Sequence, residues 1–208
     1  MTRGDLMNDI LGVCLKDEGA FLDVLDALLS LSPEVADSGL DRMLLDGGSA
    51  WAVASGGKTL ERRVDASARK QFEAATSAAD DASRELAEAW ANAYGRDPNP
   101  SDAWDHAIKA MEAALWPVVV PNNPKATLGT IEKAIAAKPS KWGFGLDSNS
   151  IGSVETLHAL LKMAWPNPDR HGTGATRTPT QTEAEAVVHI SVTIVQWVRA
   201  GLFRLASL

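Results

Sequence analysis

Residues 167–174 read Asn-Pro-Asp-Arg-His-Gly-Thr-Gly and lie between two strongly apolar helical stretches. Arg170 and His171 stand side by side there, bounded by Pro168, Gly172 and Gly174. A guanidinium is permanently cationic and forked, which suits a phosphate or a carboxylate. An imidazole takes up or gives up a proton near neutral pH. A histidine in such a loop does not fill a core, and loops on a rigid scaffold are where binding groups concentrate. The pair is therefore the candidate catalytic site, an anion site able to cleave a phosphodiester, and Arg177 adds charge as a binding residue. The competing structural role for this segment is to satisfy loop carbonyls and helix ends.

The other chemistry-bearing residues read as structural. His106 and His158 fall within helical patterns as surface or core-edge residues, and His189 sits on an apolar helix as a hydrogen-bonded core histidine. Cys14 is the single cysteine. It excludes an internal disulfide and a multi-cysteine metal site, and its apolar neighbours predict a buried, inert thiol. Walker, HExxH, GxSxG and calcium-loop patterns are absent from the sequence, so neither metal nor cofactor is expected. Trp142 and Phe144 lie in a Pro/Gly-containing stretch expected to be a long loop, where Trp142 is a candidate binding residue for a protein partner.

Twenty Lys and Arg against 27 Asp and Glu give a formal charge of −7. That argues against a general nucleic-acid coat, which needs a basic face. Two local regions are mildly basic: Lys125, Lys133, Lys138 and Lys141, and the Arg170, His171 and Arg177 group.

The elements that must position these residues are mostly helical. Apolar residues at three- and four-residue spacing predict short helices over 5–46, with Pro33 opening one and Asp46-Gly47-Gly48 stopping it. Ser55-Gly56-Gly57-Lys58 between two short runs predicts a hairpin, the one piece of β structure expected. From Ala68 to Ala93 small residues step along about seven helical turns. Ser101 is expected to cap the next helix and Pro117 to end it. Thr127 and either Thr180 or Thr182 cap two later helices. Val187, Ile190, Ile194, Val195 and Val198 make the last helix apolar on more than one side, hence central.

The segment Asp169–Val198 (DRHGTGATRTPTQTEAEAVVHISVTIVQWV) resembles the C-terminal signature of the abortive-infection C-terminal (Abi-C-like) families. "LAEAWANAYGRDPNPSDAWDHAIKAMEAAL" and "PNNPKATLGTI" resemble the same families, so the likeness covers about residues 66–200. It implies a HEPN-like helical bundle and metal-independent ribonuclease chemistry in phage defence, with an Arg holding phosphate and a His as acid or base. In those families Arg and His stand a few positions apart, whereas Arg170 and His171 are adjacent.

The resulting expectation is a mainly α protein: an N-terminal helical subdomain with one small β-hairpin (1–65), then an Abi-C/HEPN-like helical bundle (66–208). It would be cytoplasmic, with no membrane partner, and would act on or sense RNA through the Arg-His loop. The alternative is a non-catalytic helical module binding a protein partner. The Ala-rich stripe and the last helix offer more apolar face than one bundle hides, so a homodimer is expected.

Overall fold

The computed structural model describes residues 3–32, 34–37, 39–145, 150–169 and 176–206, with backbone alone at 3, 37 and 150–153. The chain is mainly helical, with two small antiparallel strand pairs among the described residues. It divides into one unit of residues 1–63 with 94–96 and another of residues 64–93 with 97–208.

The first unit holds α1 (Arg3–Cys14), α2 (Glu18–Leu31), α3 (Glu34–Asp37), α4 (Leu40–Asp46), β1 (Trp51–Val53) and β2 (Leu60–Arg62). Asp17 caps α2 by accepting from the Ala20 N–H at 3.2 Å. The stretch expected as one helix from Ser32 is two, because Gly39 takes φ +82 just before α4. The hairpin pairs Trp51 with Arg62 and Val53 with Leu60. Gly57 supplies the positive φ (+68) of its turn. Two carboxylates bind the hairpin to the helices, since two short strands alone are marginal in water. Asp26 accepts from Leu60 N–H at 2.6 Å, and Asp41 accepts from Val53 N–H at 3.1 Å. Leu22, Leu29, Leu40, Leu44 and Leu60 form the core beneath them.

The second unit holds α5 (Ala66–Ala75), most of α6 (Asp81–Tyr94), α7 (Pro100–Val119), α8 (Leu128–Ala137), β3 (Trp142–Phe144), α9 (Ser150–Ala164), α10 (Gln181–Arg199) and β4 (Phe203–Leu205). The long helix expected from Ala68 is broken between Ala75 and Asp81. Thr76 turns its hydroxyl to the Phe72 carbonyl at 2.9 Å and Ser77 to that of Ala74 at 2.9 Å. Asp80 then recaps the chain by accepting from Ser83 N–H at 2.8 Å. Short polar side chains offering the backbone alternative partners are a recognised way to end a helix. Stacking of Phe72 on Trp90, with centroids 4.2 Å apart, joins the two halves.

Asn99, rather than Ser101, caps α7, with Pro100 in the first turn. Pro117 does not end α7, which continues to Val119. The proline forfeits one bond in the final turn, where little helix remains to be lost. Against α7 lies α10, its main neighbour. Ala103, Ala107 and Ala110 are fully buried on α7 and leave room for the other helix to approach. Ser191, also fully buried, donates to the Ala107 carbonyl at 3.0 Å across that contact. Val187, Val188, Val192, Ile194 and Val195 are buried, each stabilising by about 1.5–3 kcal/mol relative to exposure. Ile190 and Val198 are half-buried.

A second strand pair, not expected from the sequence, joins β3 to β4 with Trp142 opposite Leu205 and Phe144 opposite Phe203. Most of the stripe behind the dimer expectation (Phe72, Ala75, Ala82, Leu86, Trp90 and Ala93) is buried. No helix among the described residues is long and apolar enough to cross a membrane.

Candidate functional site

Arg170 and His171, together with residues 172–175, lie outside the described residues. Hydrogen bonds hold the stems on either side. At the end of α9 the Trp104 indole donates to the Ala164 carbonyl at 2.7 Å, a buried bond tying α7 to the loop's start. Asn167 follows, only 1% exposed, and its side-chain oxygen accepts from Asp169 N–H at 3.1 Å. This is an Asx turn, which holds the Pro168-Asp169 bend. The returning arm meets it where Arg177 N–H approaches the Pro168 carbonyl at 3.4 Å.

The returning arm enters α10 through a capping box. Glu183 N–H donates to the Thr180 hydroxyl at 3.3 Å, and Thr180 N–H donates to the Glu183 carboxylate at 2.9 Å. Arg177 closes on the same carboxylate with both prongs, at 2.7 and 2.6 Å. The guanidinium bonds, then the Thr180 N–H, hold the Glu183 carboxyl down at about 2. Glu183 in turn raises Arg177 above its ordinary value, with Asp169 adding to the effect. Gln181 donates to the Ala93 carbonyl and secures the first turn of α10 to α6. The described stems thus continue into two packed helices, and Arg177 is engaged by Glu183 within the returning arm.

Trp142 and Phe144 are core residues, which corrects their reading as surface anchors. Trp142 is 2% exposed and lies 5.5 Å from Phe203 on the paired strand. Phe144 meets Trp197 edge-on at 5.1 Å. Their cover comes from a strand some sixty residues away, and nothing in their local pattern announces it. Cys14 is half-buried rather than fully buried.

The fold also assembles two carboxylate–imidazole pairs that sequence reading passed over. His106 Nδ1 lies 2.8 Å from Glu85 between α7 and α6, and His158 Nε2 contacts Glu132 between α9 and α8. A carboxylate on one nitrogen fixes the tautomer and the orientation of the ring. His158 borders a cavity of about 200 Å³ together with Ile135, Ala136, Pro139, Val154 and Glu155. Each pair joins residues more than twenty positions apart, so only helix packing brings its members together. His189 packs edge-on against Trp90 at 5.9 Å. Among the described residues no three His, Cys, Asp or Glu side chains converge as a metal site requires.

The chain matches no protein-family model, no curated protein and no solved structure.

Proposed function

We propose that the protein acts on RNA, or senses it, through the loop carrying Arg170 and His171, as an abortive-infection-type defence protein. The observation that carries this reading is the clasped neck at Pro168 and Arg177. Pro168 and Arg177 bracket the sequence that contains Arg170, His171 and two glycines, and both belong to stems that continue into packed helices. Such a platform favours an incoming phosphate, because rigid stems leave less entropy to be lost on binding. In this reading Arg170 contacts the phosphate and His171 transfers a proton, with no metal or cofactor required. Arg177 has a positioning role, since its guanidinium is already engaged. The test is degradation of total RNA by purified protein, with and without EDTA. Cleavage that survives EDTA and is lost in His171→Ala supports the reading. Equal cleavage by wild type and His171→Ala refutes it.

A further inference from the structure

A cavity of about 510 Å³ opens between the start of α6, the last turns of α7 and the end of α10, all within the second unit. Its walls are mostly apolar, with Ala82, Ala114, Pro117 and Val198 bordering it. The polar groups it meets are few and incompletely satisfied. Trp116 borders the cavity and carries a buried indole Nε1–H with no hydrogen-bond partner. Arg199 borders it too. The Arg199 Nη2 donates to the Asp80 carboxylate at 2.6 and 2.8 Å and to the Ser83 hydroxyl at 2.8 Å. Its Nη1, also buried, has no partner. On α7, Pro117 has no N–H to give the Ala113 carbonyl four residues back, and Ala113 lines the same cavity.

Buried N–H groups are nearly always paired, because an unmade bond away from water is costly. Four buried side-chain atoms lack a partner among the described residues, and two of them belong to residues of this one cavity. An apolar pocket of this size with a few unmet polar groups is the usual form of a small-molecule site. Charge selects the ligand. Among the described residues that border the cavity, Asp80 and Asp81 are negative and Arg199 alone is positive. The last turns of α7 and α10 add the negative ends of two helix dipoles, so an anion is disfavoured. A cation would find Asp80 already engaged by Arg199 and Asp81 by Arg84 at 2.8 Å, and would leave both N–H groups unmet. We propose that this cavity binds an uncharged small molecule with an apolar body and an amide head, its carbonyl accepting from Trp116 Nε1 and Arg199 Nη1. A carbonyl oxygen has two lone pairs, one for each donor, and the amide N–H answers the Ala113 carbonyl. The site lies at the last turn of α10, whereas Arg177 and Glu183 stand at its first, so it is independent of the RNA reading.

The probes are benzamide, benzoate and benzylammonium, which share a ring and differ in the charge of the head. Each is titrated into the nitrogen-15-labelled full chain while the indole N–H signals of its seven tryptophans are followed by NMR. Benzamide at millimolar concentration is expected to move the Trp116 signal saturably, the signal being assigned by its loss in Trp116→Phe. Its affinity should exceed that of either charged probe by about tenfold or more, since a charge entering this cavity finds no free partner. Trp116→Phe keeps the apolar bulk and removes the donor, so it should weaken benzamide by about fivefold or more. Ala114→Leu fills the cavity and should abolish binding. Circular dichroism confirms that each variant retains its helices, and the comparison of three heads on the wild type requires no variant to fold. The absence of a saturable benzamide shift overturns the proposal, as does equal affinity for the three probes. So does a moved indole signal that persists in Trp116→Phe, or undiminished binding by Ala114→Leu.

Discussion

Replacing glycine by alanine inside a helix should have opposite effects at two positions of this chain. Both Gly129, in α8, and Gly12, in α1, lie within helices. Propensity alone says that alanine stabilises either site, by at most the helix-interior value of about 0.8–1.0 kcal/mol because both lie in terminal turns. At Gly12 nothing lies within 4 Å of the added carbon, so that gain should be realised. At Gly129 the new Cβ would stand 2.8 Å from Trp165 Cε2, 2.9 Å from Cζ2 and 3.0 Å from Nε1. An indole cannot yield at one atom and must move as a plate, while the Trp165 backbone is held by its bond to Leu161 at 2.9 Å. Overpacking of this kind costs about 1–3 kcal/mol, which exceeds the propensity gain and leaves a net destabilisation of about 1 kcal/mol. Amide hydrogen exchange reads each helix separately, so it is the suitable assay. Protection of α8 should fall in Gly129→Ala, and protection of α1 should rise in Gly12→Ala. In a Trp165→Leu background the Gly129→Ala effect should change sign. A Gly129→Ala protein as stabilised as Gly12→Ala would mean that Trp165 does not close over α8, and the packing argument would fail.

Ile194→Ala empties a fully buried position on the face of α10 toward the core and should cost about 2–5 kcal/mol in urea melts; a loss well under 1 kcal/mol would remove α10 from the centre. Glu183 titrates well below its ordinary value in the folded chain, so its contribution is complete above about 4.5 and disappears as pH falls toward about 2. NMR titration should therefore place its midpoint near 2 in the wild type, and Arg177→Ala should move it up toward 4.5; an unmoved midpoint would show that the clasp is absent. Arg170→Lys should impair any RNA cleavage although charge is kept, because the planar two-pronged contact is lost. Full activity in that variant, with the fold intact by circular dichroism, would rule out the guanidinium as the phosphate contact.

Local chemistry was legible wherever a residue and its partner are close in sequence. The Thr180–Glu183 capping box, the Thr127 cap and the positive φ in the Gly56-Gly57 turn each follow from a few neighbouring residues. The periodicity of Val187, Ile194 and Val195 likewise marks a helix buried on its inner face, because burial follows helical phase. The reading of Arg170 and His171 rests on composition between two helices, and both lie outside the described residues. The break after Ala75 lay at the limit of this reading: Thr76 and Ser77 are visible in the sequence, but an alanine stripe continuing across them outweighs them. What lies beyond that limit depends on partners far along the chain. Trp142 reads as an exposed anchor until the Phe203 ring packs against it, and Glu132 and His158 are unrelated residues until α8 and α9 pack. Gly129 is an ordinary helix-weakening glycine until Trp165 occupies the space beside it. The reason is common to all of these: caps, turns and amphipathic phase are set by backbone geometry within a few residues. Burial, ion pairing and steric room at a given side chain are set by whichever distant element comes to lie against it.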